Sequence, residues 1–157
     1  MYINSSDAGP AVAQLTVAWS QVATFVTTVE ASVGKWLVRN YGIGLTEYCA
    51  LAQLSSVAEK ELRVNELASR IGLNQSSVTR LLGRLEAQGL TYRDTCPDDR
   101  RGVYAVIAEP GEVLLNAARP PYEARLADIL QRLERNFPHF SAVEVKRVLL
   151  TIGDQIA

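Results

Sequence analysis

The stretch from 63 to 90, RVNELASRIGLNQSSVTRLLGRLEAQGL, restricts the fold of this chain more than any other part of it. Leu67, Ala68 and Ile71 recur at helical spacing and make one face of a short helix. Gly72 follows at the position where a left-handed C-cap favours glycine. Asn74 is placed to cap a second helix through its side-chain oxygen. That second helix turns Val78, Leu81, Leu82 and Leu85 inward and ends at Gly89. The small side chain of Ala68 lets the two helices approach closely. Two short helices joined by a glycine-containing turn form a helix-turn-helix.

The outward face of the second helix carries the chemistry. Gln75, Ser76, Ser77, Thr79, Arg80 and Arg84 are all polar, and no acid stands among them. A merely solvated face ordinarily mixes glutamate with lysine. Hydroxyls, an amide and arginines are the groups that read base edges and grip phosphates in the major groove of DNA. The formal net charge of −1 does not by itself favour a nucleic-acid partner, but the distribution does. Between 70 and 93, Arg70, Arg80, Arg84 and Arg93 stand against Glu86, a balance of +3. Over residues 1–62, Lys35, Arg39 and Lys60 stand against Asp7, Glu30, Glu47, Glu59 and Glu61, a balance of −2.

Directly after this helix pair, two short β-prone stretches within 91–107 flank a turn rich in proline and aspartate, the signature of a hairpin. A hairpin in that place is a wing. Arg93 lies on its first arm, and Arg100 and Arg101 lie near its tip, where the negative potential of a minor groove favours arginine. Asp99 is positioned to brace one of these arginines.

The two ends of the chain follow another rule. Val12, Leu15, Trp19, Val22, Val26, Val29, Val33 and Trp36 alternate in steps of three and four, the narrow apolar seam of a helix that faces another helix. Ala142, Val145, Leu149, Ile152 and Ile156 repeat the pattern after Ser141, a suitable N-cap, and Tyr122, Leu126, Ile129 and Leu133 share it. Residues 40–44 break the first helix from a short one opening near Thr46. Pro120 and Pro121 are expected to kink or split the helix that starts near Pro110. The fold class is therefore mainly α with a small β-hairpin wing. It divides into an N-terminal dimerisation helix (10–40), a winged helix-turn-helix (45–108) and C-terminal dimerisation helices (109–157).

These features resemble the MarR family of bacterial transcriptional regulators, closely over residues 45–111. The resemblance is carried by Leu45 and Thr46, by Glu66 to Ala68, by Ser76 to Arg80, by Leu85 and Glu86 with Gly89 and Leu90, and by Asp99 to Arg101. It implies that residues near 75–80 face the major groove and that Arg101 is the minor-groove arginine. It implies a homodimer joined through both terminal helices, matching the seams above. Such a dimer would place recognition helices in successive major grooves about 34 Å apart on a pseudo-palindromic operator, as a repressor does. Family members often bind amphipathic, phenolic compounds between the dimer helices and the DNA-binding lobe. A small-molecule effector is thereby implied, with Trp19, Trp36, Tyr41, Tyr48 and Tyr122 as candidate lining, although packing is the ordinary work of such residues. Some relatives sense oxidants through cysteine. Cys49 sits in an apolar helix and reads as an inert thiol, whereas Cys96 sits near the wing arginines. One departure stands out: the family's Leu-Thr after the wing is here Ile107-Ala108, with Glu109 and Pro110 in place of the threonine cap.

Other classes are less well supported. No nucleophile-base pair, paired carboxylates or phosphate-cradling glycine loop is visible, so the chain is not expected to be an enzyme and no cofactor is expected. Two cysteines far apart and a single histidine, His139, do not make a metal site or a disulfide framework. No apolar run is long enough for a membrane span and no secretory signal opens the chain, so the cytoplasm is the expected compartment. The alternative from another class is a winged-helix protein-interaction module, which would tend to carry an acidic or apolar recognition face.

Overall fold

The computed structural model describes residues 10–95, 102–136 and 141–156. The N-terminal seam becomes one long helix, α1 (Pro10–Tyr41). It stops where Gly42 adopts a left-handed backbone, φ +71°, and its N–H closes on the Val38 carbonyl at 3.0 Å. Only the later part of the seam is covered by the chain itself. Val33 and Leu37 are buried, while Leu15, Trp19, Val22 and Val26 stand exposed.

Helix α2 (Leu45–Ser56) opens one residue before Thr46. Glu47 reaches back so that Oε2 accepts the Gly44 N–H at 2.8 Å. This is half of a capping box, since Gly44 has no side chain to complete the other half. Helices α3 (Val64–Arg70) and α4 (Gln75–Ala87) form the expected pair. Gly72 between them has φ +67°, and Asn74 Oδ1 accepts the Ser77 N–H at 2.8 Å. Leu67, Ala68, Val78, Leu81, Leu82 and Leu85 close the seam between the two helices as fully or nearly fully buried side chains. Each such leucine contributes about 1.5–3 kcal/mol by leaving water.

The wing arms are β2 (Thr91–Thr95) and β3 (Val103–Ile107), paired antiparallel with Thr91 opposite Ile107. A third strand, β1 (Glu61–Arg63), was not anticipated. It pairs with β3, Leu62 opposite Ala105, to give the order β1-β3-β2. Three residues are too few to show an alternating pattern, and only the partner strand makes them a strand.

Helix α5 (Glu109–Asn136) corrects the expectation of a split at the double proline, because it runs through Pro120 and Pro121 as one helix. Pro121 has no N–H to offer the Ala117 carbonyl one turn back. That oxygen instead accepts the Tyr41 hydroxyl from the end of α1 at 3.3 Å. A side chain from another helix thus supplies a donor that the proline lacks. Helix α6 (Ala142–Ile156) follows Ser141, whose Oγ accepts the Glu144 N–H at 3.3 Å. Its Val143, Val148, Leu149, Leu150 and Ile152 are exposed, so its apolar stripe, like the early part of α1, lacks cover within one chain.

One buried cluster joins the lobes: Val33 and Leu37 of α1, the inner leucines of α2 to α4, Ala105 and Ile107 of β3, and Leu115 and Ala118 of α5. The first turn of α5 presses on the chain leaving α4. Ala108 N–H donates to the Leu90 carbonyl at 3.0 Å, and a Cβ at Gly111 would overlap that same oxygen. Gly111→Ala is accordingly expected to cost about 1–3 kcal/mol by overpacking. Gly83→Ala, on an open face of α4 with nothing within 4 Å, should be neutral or stabilise by up to about 1 kcal/mol. Urea unfolding of the two variants checks this, and equal midpoints would contradict the close approach at Gly111.

Candidate nucleic-acid interface

The outward face of α4 begins at its capped end. Asn74 Oδ1 accepts from both the Ser77 N–H and the Ser76 hydroxyl, each at 2.8 Å. Thr79 Oγ1 donates to the Gln75 carbonyl at 2.9 Å. The two hydroxyl protons are therefore engaged locally, and their oxygens keep lone pairs for an outside donor. Gln75, Ser76, Thr79 and Arg80 line one shallow, open surface and all four are exposed. Ser77 is half-buried, on the flank towards Thr46 and Leu73.

The arginines assigned to this surface do not all stand alike. Arg84 Nε donates to Glu47 Oε1 at 2.8 Å. Glu47 is a buried carboxylate, with its other oxygen on the Gly44 N–H, so the pair ties α4 to the start of α2. Arg93 Nε lies 2.7 Å from Glu86 Oε1, and its terminal nitrogen donates to the Thr79 carbonyl at 3.3 Å. It ties β2 to α4. The only acid that the sequence places on α4, Glu86, is thereby neutralised and drawn to one side. Among the described residues Arg80 makes no ion pair and no hydrogen bond. It is the cation of α4 left available to a ligand.

Sequence reasoning missed two members of this framework. Glu47 reads in the sequence only as an acid in a first turn, and its contact with Arg84 spans 37 positions. Arg63 Nε donates to the Tyr104 hydroxyl at 3.1 Å, with the guanidinium 5.4 Å from that ring's centre, at the base of the sheet. No local spacing signals either pairing. The wing-tip residues Cys96, Asp99, Arg100 and Arg101 lie outside the described residues, as does His139.

The five aromatics considered for an effector pocket fall into separate places. Tyr48 and Tyr122 stack with ring centres 4.4 Å apart, and Trp36 meets Tyr41 edge-on at 5.5 Å. Trp19 stands apart on the exposed part of α1, 71% accessible. Burial raises the Tyr122 phenol to about 12, with help from Cys49, Tyr48 and Glu30. Burial likewise raises Tyr48. Cys49 is pushed up by burial and then by Glu30, which keeps the thiol protonated and unreactive. Among the described residues no group of histidine, cysteine and acids could hold a metal ion, and no helix is long and apolar enough to cross a membrane.

With that geometry in place, the chain can be set beside known proteins. Residues 41–102, which hold α2 to α4 with β1 and β2, match the MarR family model. The chain is 28% identical over 111 residues to the HTH-type transcriptional regulator MhqR of Bacillus subtilis (strain 168), spanning 71% of this chain and 75% of that one. Its fold is that of Sco3205, a MarR family transcriptional regulator from Streptomyces coelicolor solved in complex with DNA, at a TM-score of 0.73 and 21% identity over 97% of this chain and 86% of that one. It is also that of CouR from Rhodococcus jostii RHA1, solved bound to p-coumaroyl-CoA, at a TM-score of 0.66 and 24% identity over 87% and 89% of the two chains.

Two outcomes follow from the site's internal bonding. Arg84→Ala strands the buried Glu47 carboxylate and should lower stability by about 1–3 kcal/mol. Arg80→Ala should stay within about 0.5 kcal/mol of the parent in the same thermal or chemical unfolding. A second check uses pH. The Tyr122 phenol is favoured neutral in the folded state, so its contribution is fully present below its ordinary value of 10.0 and is lost as pH rises towards about 12. The fall in melting temperature across that window should be shallower in Tyr122→Phe, and an unchanged slope would count against the buried phenol.

Proposed function

We propose that this chain is a DNA-binding transcriptional repressor of the MarR type that acts as a homodimer in the cytoplasm. The observation that carries the reading is the exposed, acid-free face of α4, where Gln75, Ser76, Thr79 and the unpaired Arg80 stand together. In this reading Arg80 and the neighbouring polar groups, Ser77 included, contact bases in the major groove. Arg84 and Arg93 serve first to hold α4 and β2 in place, with phosphates approaching their remaining N–H groups. Arg101 enters the minor groove beside Arg100, with Asp99 bracing it. The 45–108 unit reads DNA, while 10–40 and 109–157 join two copies through the exposed apolar residues of α1 and α6. Two recognition helices about 34 Å apart would then meet a pseudo-palindromic operator. The structure of Sco3205 with DNA supports the partner, and that of CouR with p-coumaroyl-CoA supports a small-molecule effector for this chain too. The stacked pair Tyr48 and Tyr122, or the separate pair Trp36 and Tyr41, are the aromatic residues through which such a ligand would act. Trp19 is better suited to the interface between copies. Catalysis forms no part of this reading.

A salt series of DNA binding, comparing the chain's own upstream region with random duplex, tests the proposal. Specific binding should weaken steeply with salt. Arg80→Ala should lose about 1–3 kcal/mol of discrimination between the two DNAs, and Arg101→Ala should weaken both. No binding to either DNA at low salt would overturn the reading in favour of a protein-interaction module.

A further inference from the structure

Helix α5 changes character at Pro120 and Pro121. Before the prolines it is anchored. Gly111, Leu115 and Ala118 are buried, and Ala108, just before the helix, bonds to the Leu90 carbonyl at the exit of α4. Beyond the prolines, among the described residues from 121 to 135, none is fully buried. That far half leads on to α6, whose apolar stripe lacks cover within one chain.

A proline removes one helical hydrogen bond and its ring crowds the carbonyl one turn back, so a helix bends most readily there. At Pro121 that carbonyl is Ala117, and the Tyr41 hydroxyl donates to it at 3.3 Å. Tyr41 is itself held in place. It is the last residue of α1, half-buried, with its ring edge-on to Trp36 at 5.5 Å. Three residues on, the Gly44 N–H is fixed by Glu47, the carboxylate that also holds Arg84 of α4. The proline joint is therefore tied to the same part of the molecule as the recognition helix.

From Pro121 to Asn136 the helix runs about 22 Å. A change of about 20° at the joint, the scale of a proline kink, would move its far end by roughly 7 Å, about two base-pair steps of DNA. A small release at Tyr41 would thus be read as a change in the length of DNA that a dimer spans.

We propose that Tyr41 is a positioning residue for DNA recognition. Its hydroxyl holds the proline joint of α5 at one angle, and that angle sets the distance between the two recognition helices of a dimer. This role rests on the reading of the chain as a dimeric DNA-binding repressor, and Tyr41 acts in it through α5 rather than on DNA.

The test uses the full chain and the duplex that the parent binds most tightly in its own upstream region, with one or two base pairs inserted or removed at the centre. The parent should prefer one length by about tenfold or more. Tyr41→Phe keeps the ring and removes only the donor, and it should reduce that preference to about threefold or less. Pro121→Ala gives the Ala117 carbonyl a donor on its own helix. In a Pro121→Ala background Tyr41→Phe should therefore make no further difference, at whichever length that background prefers. An undiminished preference in Tyr41→Phe, or the same loss in both backgrounds, would overturn the proposal. Hydrogen exchange without DNA supplies the second measurement. The amides from Tyr122 to Arg125 should exchange about threefold to tenfold faster in Tyr41→Phe, the worth of one hydrogen bond, and not in the Pro121→Ala background. A parent that binds no DNA overturns the repressor reading and the spacing role with it. Unchanged exchange beside intact DNA binding overturns the Tyr41 joint alone, so the two failures are told apart.

Discussion

The arrangement of this protein depends on the close approach of the first turn of α5 to the chain that leaves α4. Leu90 turns the backbone from the recognition helix into β2, and its carbonyl accepts the Ala108 N–H at 3.0 Å. Gly111 sits against that same oxygen with no room for a side chain. Lys60, before β1, adds a backbone bond to Ile107 at 3.1 Å and a 3.3 Å ion pair with Glu112. Four parts of the chain therefore meet within a few residues: the exit of α4, the start of β1, the end of β3 and the start of α5. Movement of α5 cannot leave α4 where it is, since the contact is backbone against backbone and has no flexible side chain to absorb a shift.

The same economy governs charge. Arg84 and Arg93 are held by Glu47 and Glu86, which ties the last turn of α4 to α2 and β2 and engages its acid. Among the described residues of α4, what remains exposed and without an ion pair is Arg80, with hydroxyls and an amide. Ion pairs of this kind contribute modestly when exposed, and Glu47 matters more because its carboxylate is buried. Their larger effect is to decide which cations are occupied and which are free to meet a ligand.

The apolar surface is divided in the same way. Val33 and Leu37 complete the core of a single chain, but Leu15, Trp19, Val22 and Val26 of α1 and the outer residues of α6 are left exposed. A monomer rarely leaves so many large apolar side chains together in water. A second copy is the natural cover, and it would join the parts of the molecule that carry the least internal packing.

The sequence by itself determined the local elements of this protein. The turn at Gly72, the Asn74 cap and the leucine spacing gave the helix pair, the turn-rich stretch gave the hairpin, and the three-four seams gave the terminal helices. Each of these is set by contacts within a few residues, so the pattern is written in adjacent positions. Tertiary structure decided everything that depends on distant partners. It made β1 a strand by pairing Leu62 with Ala105, and it carried α5 through Pro120 and Pro121 while Tyr41 served the Ala117 carbonyl. It also separated the arginines that brace the site from the one that is free. Position along the chain cannot report such pairings, because the energy of an ion pair or a borrowed hydrogen bond depends on distance in space.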